Sequence, residues 1–230
     1  MRRDPEKKVT ITSPVFNDRV DAGRRLAERL IQYRGPDTVV CALANGGVVV
    51  GSEVAEMLQA PMELVVCGAI MHPFSPSFAV CAITEHGERV CDEVGVCALD
   101  ASWIDHEAEH QAREIVRRRM LFGLETPANL SNKTVVLVDD GMVTGLPMKA
   151  AILTVRRQNP ARIIVAVPSA PSEITERILP LVDEVIVLIQ DKQYRGVTKA
   201  YYTHFPVVHD TDVKMLLERT SHQLTDTRKI

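Results

Sequence analysis

Apolar residues in this chain fall into two kinds of run. Short blocks rich in Val and Ile occur at 38–43 (TVVCAL), 62–67 (MELVVC), 134–139 (TVVLVD), 162–168 (RIIVAVP) and 184–189 (EVIVLI). They are apolar at successive positions rather than at alternate ones, as strands covered on both faces are. Between them lie stretches with helical spacing: 18–33 (DRVDAGRRLAERLIQY), 46–59 (GGVVVGSEVAEMLQ), 147–158 (PMKAAILTVRRQ) and 171–182 (PSEITERILPLV). Two-sided strands alternating with amphipathic helices predict an α/β fold, doubly wound, with a mainly parallel sheet between helices.

Two pieces break the alternation. Residues 78–92 (FAVCAITEHGERVCD) read as two short strands around His86-Gly87, and 102–123 read as one long charged helix. Together they predict an insertion over 72–123 within a single domain spanning 1–230. A C-terminal segment, 191–230, contains YRGVTKAYYTHF (194–205), which holds three of the four tyrosines and has no clear period. It is expected to form a flap followed by a helix.

Composition narrows the function classes. The 230 residues are 46% hydrophobic and 25% charged, ordinary for one globular core. A net charge of −3 without single-sign blocks offers no footprint for nucleic acid or a membrane surface. The first ten residues, MRRDPEKKVT, are charged and lead into no apolar stretch of signal length, so a cytoplasmic protein is expected. Leu64 to Thr84 carries no Asp, Glu, Lys or Arg, but His72, Pro73, Ser75, Pro76 and Ser77 interrupt it, which favours two strands and a loop over a membrane span. Five cysteines without a CxxC read as reduced thiols, with Cys91 and Cys97 as small buried or half-buried residues.

The chemistry concentrates in VVLVDDGMVTG, 135–145. Ligands of parallel α/β sheets bind outside the carboxyl ends of the strands, and Asp139 and Asp140 stand at such an end. Carboxylates facing a polar crevice can accept hydrogen bonds from a sugar diol. The loop Gly141, Met142, Val143, Thr144 and Gly145 then offers backbone N–H groups, a hydroxyl and a helix start, which together suit an anion. A diol site beside an anion cradle describes a phosphorylated sugar.

Val135 to Pro147 resembles the phosphoribosyl pyrophosphate (PRPP) motif of type I phosphoribosyltransferases. The resemblance extends over FNDRVDAGRRLAERL (16–30), VVCALANGGVVVGSEVA (39–55), VAVPSAP (165–171), YYTHF (201–205) and DTDVKMLL (210–217). It implies Mg2+-dependent transfer of a 5-phosphoribosyl group from PRPP to a nucleobase-like acceptor, with Mg2+ carried on the substrate and no metal ligand from the protein. It implies that Asp139 and Asp140 take the ribose hydroxyls and that 141–145 wrap the 5-phosphate. LANGG matches the pyrophosphate loop, with Ala44, Asn45, Gly46 and Gly47 facing the leaving group. Tyr194, Tyr201 or Tyr202 would stack on the acceptor under the flap, and a homodimer is expected.

The chain departs from that pattern at three positions. Relatives carry Arg in the first loop, where Ala44-Asn45 stands here, and Arg-Lys where Gly68-Ala69 align. They place Thr where Pro147 stands. Charge-assisted contacts contribute about 1.5–3 kcal/mol each, so Lys149, Arg19 or Arg113 would have to substitute. A binder of PRPP or a nucleoside monophosphate that no longer turns over is the alternative.

Other motifs compete. GGVVVG (46–51) lacks the GxGxxG spacing, and the Asp pair without GxxxxGK[ST] is no NTPase signature. HEAEH, with His106 and His110 one helical turn apart and Glu107 between, matches the zinc hydrolase pattern HExxH, against which stands a solvated charged helix. Arg113 and Arg117 to Arg119 likewise read as a solvated face or as a phosphate clamp.

Overall fold

A computed structural model of the chain describes residues 15–124 and 129–227. The charged start, 1–10, lies outside the described residues. The elements run α1 (Arg19–Leu30), β1 (Thr38–Leu43), α2 (Gly46–Leu58), β2 (Met62–Val65), β3 (Gly68–His72), β4 (Ser75–Ile83), β5 (Arg89–Cys91), α3 (Glu93–Val96), α4 (Ala101–Leu121), β6 (Thr134–Val138), α5 (Leu146–Arg156), β7 (Arg162–Pro171), α6 (Ser172–Ile178), β8 (Glu184–Asp191) and α7 (Asp210–Thr227). No helix among the described residues is long and apolar enough to cross a membrane.

All five blocks with two-sided apolar character enter one sheet, in the order β2-β1-β6-β7-β8, with every pairing parallel. Period-2 geometry divides their side chains between two cores. Val40, Ala42, Val136, Val138, Ile164 and Ala166 meet α1 and α2, while Val39, Cys41, Val135, Leu137, Ile163 and Val165 meet α5 and α6. Pro180 has no N–H to continue α6, which closes as a short 3-10 turn.

Chain direction reverses once across this sheet. From β1 the chain passes through α2 to β2 on one side, then returns to lay β6 on the other side of β1. The carboxyl ends of β1 and β6 therefore border the switch point, where an open sheet leaves a crevice between diverging connections. The two loops singled out in the sequence, 44–47 and 139–145, are the two banks of that crevice.

Residues 68–121 fold as a separate antiparallel sheet, β3-β4-β5, with α3 and α4. The expected hairpin of 78–92 is present as β4 and β5, and β3 adds a third strand because β2 stops at Val65 and the chain turns back at Gly68. Ala79 and Ala82 pack against Leu146 and Ala150, seating this sheet on the start of α5. The expectation of reduced thiols fails at one pair. Cys81 and Cys91 are directly opposed across β4 and β5 and form a disulfide, whereas Cys41, Cys67 and Cys97 are free, buried, half-buried and exposed respectively.

Candidate functional site

Both helices leaving the switch point begin without a side-chain cap. α2 starts at Gly46 after Asn45, and α5 starts at Leu146 after Gly145, whose φ of 70° suits a residue without Cβ. The contrast with α1, α3 and α4 is sharp: Asp18, Asp92 and Asp100 cap those three through their carboxylates. Among the described residues, the N–H groups of Gly46, Gly47, Val143, Thr144 and Gly145 have no hydrogen-bond partner. Unpaired donors at a helix N-terminus attract an anion.

The loop Gly141 to Gly145 borders a cavity of about 190 Å3, closed by Asp139, Pro147 and Met148 on one side and by Ala69, Met71 and Ala79 of the second sheet on the other. Met142 is anchored in the core and its N–H donates to the Ser169 carbonyl, which fixes the loop's shape. Thr144 is half-buried and its Oγ1 lies 3.4 Å from the Leu146 nitrogen. Pro147 sits in the first turn of α5, where an absent donor costs the helix nothing.

Across the crevice the loop of Ala44 to Gly47 presses against the aspartates. A Cβ on Gly46 would lie 2.0 Å from Asp140 Oδ2, and one on Gly47 would lie 2.9 Å from both Asp139 Cα and the Val138 carbonyl. Only glycine lets the banks approach this closely. The Ala44–Asn45 peptide bond is cis. Asn45 is bound sideways, with Nδ2 donating to the Val208 carbonyl at 2.9 Å and to Asp210 Oδ1 at 3.1 Å. Its side chain therefore leaves α2 uncapped and holds the first turn of α7 against the loop.

The two aspartates differ in their partners. Asp140 Oδ2 accepts from Arg19 Nε at 2.7 Å, and both side chains are nearly enclosed, at 15% and 8% exposure. Arg19 also donates to the Pro206 carbonyl at 2.7 Å and lies 3.6 Å from the centre of the Phe205 ring. Asp139 makes no ion pair among the described residues; its Oδ1 accepts from the Asp140 nitrogen at 2.8 Å. Burial, with the Asp140 charge beside it, raises the Asp139 carboxyl well above the usual carboxylate range. Burial also raises Asp140, but Arg19 opposes the shift.

The flap covers this pair and assigns the tyrosines unequal places. Tyr201 is fully enclosed, its hydroxyl donating to Asp191 Oδ2 at 2.9 Å, and Tyr202 is packed between Phe16 and Phe205 with its hydroxyl donating to the Asp140 carbonyl at 2.6 Å. Neither ring face is free to stack on a ligand, which corrects the expectation for Tyr201 and Tyr202. Tyr194 differs: one face lies on Tyr201 at 5.1 Å, and its hydroxyl, like that of Ser169, is buried without a well-formed hydrogen bond. Ser169 Oγ and Thr198 Oγ1 would each stand 3.1 Å from a Cβ on Gly141, so hydroxyls gather over the start of the anion loop.

The candidate replacement cations separate as well. Arg19 is engaged by Asp140, Arg113 is exposed beside Glu109, and Lys149 is half-buried near the start of α5 without an ion pair among the described residues. Arg118 was not singled out by itself, yet it lies nearly enclosed on the inner face of α4, against Asp210. Helical spacing from Ile104, Ala108 and Ile115 would have revealed it. His106 and His110 lie on the exposed face of α4, and no group of three or more His, Cys, Asp or Glu converges as a metal site among the described residues.

Residues 16–201 match the family described as the phosphoribosyl transferase domain. A protein of Mycobacterium tuberculosis strain H37Rv, named "Putative phosphoribosyl transferase Rv0571c", is 36% identical over 219 residues, covering 94% of this chain and 49% of the relative. The chain thus spans about half the length of the curated relatives it matches. The crystal structure of TT1426 from Thermus thermophilus superposes with a TM-score of 0.71 at 36% identity, over 89% of this chain and 98% of that one.

Proposed function

Because the chain belongs to the phosphoribosyl transferase family, we propose that it binds Mg2+-PRPP and transfers the 5-phosphoribosyl group to a nucleobase-like acceptor. One observation carries the reading: a pair of carboxylates stands between two uncapped helix N-termini at the switch point. The 5-phosphate enters the cavity of 141–145, the ribose hydroxyls meet Asp139 and Asp140, and the diphosphate meets the N–H groups of Gly46 and Gly47.

The reaction breaks the bond from sugar C1 to the diphosphate oxygen, which departs with the electron pair, as an acceptor nitrogen forms the new bond to C1. Positive charge develops on the ring while negative charge gathers on the leaving group. Catalysis by this chain is then orientation of the sugar and neutralisation of the departing diphosphate, with the metal arriving on the substrate.

A second reading has its own observation. Arg19 occupies the Asp140 carboxylate and is clasped by Phe205 and Pro206, so the carboxylate proposed for the diol is latched. A protein that senses PRPP or a nucleoside monophosphate, without turnover, would use such a latch.

Calorimetric titration of Mg2+-PRPP, ribose 5-phosphate and a nucleoside 5′-monophosphate into wild type and Asp139→Asn tests both. The enzyme reading expects PRPP to bind more tightly than ribose 5-phosphate and to weaken about tenfold or more in the variant. PRPP no tighter than ribose 5-phosphate, with the nucleotide retained, favours the sensor. Absence of binding by all three removes both readings.

A further inference from the structure

Helix α4 reaches the loop of Ala44 to Gly47 through Asp210, and it brings a cation there. Ile104, Ala108, Gln111, Ile115 and Arg118 recur at three- and four-residue spacing along its inner face, with Ile104, Ala108 and Ile115 buried there. At Gly68, on the second sheet, a Cβ would meet Gln111 Cβ at 2.7 Å. The position admits no side chain because the helix already fills it.

Farther along the same face, Arg118 Nη2 reaches Asp210 Oδ1 at 3.4 Å. That oxygen also accepts from Asn45 Nδ2, so the guanidinium and the loop side chain share one acceptor. Arg117 reaches the other oxygen, Oδ2, at 3.0 Å, but it is exposed and already paired with Glu114 at 2.6 Å. Arg118 has 14% side-chain exposure and, among the described residues, no other carboxylate within salt-bridge distance; the ring of Phe122 lies 5.5 Å away.

We propose that Arg118 is the cation of the leaving-group half: it is stored on Asp210 beside Asn45 and turns to the diphosphate held at the N–H groups of Gly46 and Gly47. The proposal rests on the PRPP reading above. Asp210 Oδ1 bridges the guanidinium to Asn45, the residue before Gly46, and a guanidinium fork matches two phosphate oxygens. Asp210 then serves as a positioning residue for both Asn45 and Arg118.

The test compares Mg2+-PRPP, Mg2+-pyrophosphate and ribose 5-phosphate in wild type, Arg118→Gln, Arg118→Lys and Asp210→Asn, with Arg177→Gln, an exposed residue of α6, as control. Arg118→Gln is expected to weaken PRPP and pyrophosphate by about ten- to a hundredfold while ribose 5-phosphate holds, with Arg118→Lys recovering part of the loss. Asp210→Asn keeps an acceptor for Asn45 while releasing the guanidinium, and is expected to retain or tighten PRPP. Unchanged PRPP affinity in Arg118→Gln, or an equal fall for PRPP and ribose 5-phosphate, overturns the proposal. So does a matching loss in Arg118→Gln and Asp210→Asn, which would make the contact only a clamp. If wild type prefers PRPP and Arg118→Gln keeps that preference, this proposal alone fails; if wild type shows no preference, the PRPP reading fails first and takes the proposal with it.

Discussion

The loop after β6 and the loop after β1 both run into helices whose first N–H groups lack side-chain caps, yet their surroundings differ. Loop 141–145 opens on a cavity and takes its shape from one buried methionine and one backbone hydrogen bond. Loop 44–47 is tied sideways through Asn45 to α7 and, through Asp210, to α4. The first bank offers backbone N–H groups on a loop hydrogen-bonded to the neighbouring strand β7, whereas the second is tied by side chains to α7 and α4. An anion at the first bank therefore depends on the sheet's own connections, and one at the second depends also on docking of the inserted helix.

The harshest way to break the comparison is to part the banks. In Gly47→Val the new side chain meets backbone at Val138 and Asp139, which no rotamer relieves. Overpacking of this kind costs about 1–3 kcal/mol, and a displacement of the loops near 1 Å removes about a hundredfold in binding. Urea unfolding is expected to register the first, and calorimetry with ribose 5-phosphate the second.

Next in size is the split between the aspartates. Asp140→Asn strands the Arg19 guanidinium under the flap, and breaking an enclosed pair in this way costs about 3 kcal/mol. Asp139→Asn removes a buried carboxylate whose burial outweighs the pull of nearby Arg19 and keeps an oxygen for the Asp140 nitrogen, so the fold holds or gains stability at neutral pH. Denaturant midpoints of the two variants are expected to move apart, and a similar loss in both would refute the distinction.

That split also gives a pH signature. The folded-state pKa of Asp139 is raised, so over the range from the ordinary aspartate value upward the folded protein keeps a proton that the unfolded chain has released. Its contribution to stability is complete below that range and is lost as pH rises through the folded pKa. Diol hydroxyls donate to the ionised form, so ribose 5-phosphate affinity is expected to rise with pH over the same interval. Burial raises Glu63 in the same direction, whereas hydrogen bonds from Arg157 hold Glu88 low, and those from Arg117 hold Glu114 low, against the upward pull of burial. The informative quantity is therefore the difference between wild type and Asp139→Asn, which should flatten in the variant.

The sequence was most legible where structure is periodic or local. Five apolar blocks became five parallel strands, and the Asp pair with its small-residue loop could be placed at a strand end before any coordinate was known. The disulfide was missed although Cys81 and Cys91 are equidistant from His86, because cysteine counting ignores hairpin register. Arg19 and Arg118 were harder. Arg19 lies 121 residues from Asp140 in the chain, and Arg118 is 92 from Asp210. Neither spacing carries a signal; only packing of α1 and α4 against the switch point creates those pairs. Among the tyrosines, equal composition hid unequal burial, since Tyr201 and Tyr202 spend their hydroxyls on the fold and Tyr194 does not.

The smallest expected effect concerns that remaining hydroxyl. Burying a hydroxyl without a well-formed hydrogen bond is unfavourable, so Tyr194→Phe should leave stability unchanged to within about 0.5 kcal/mol or raise it slightly, and Ser169→Ala should do the same. Truncating Tyr201, whose hydroxyl donates to Asp191 and accepts from the Arg195 nitrogen, should instead cost about 1–2 kcal/mol. If these hydroxyls await a polar ligand atom under the flap, Tyr194→Phe will weaken binding of a nucleoside 5′-monophosphate severalfold while leaving ribose 5-phosphate unchanged, because on the proposed reading a sugar phosphate reaches no farther than the aspartates. A loss shared by both ligands would instead tie Tyr194 to the 5-phosphate bank through Thr198 and Gly141.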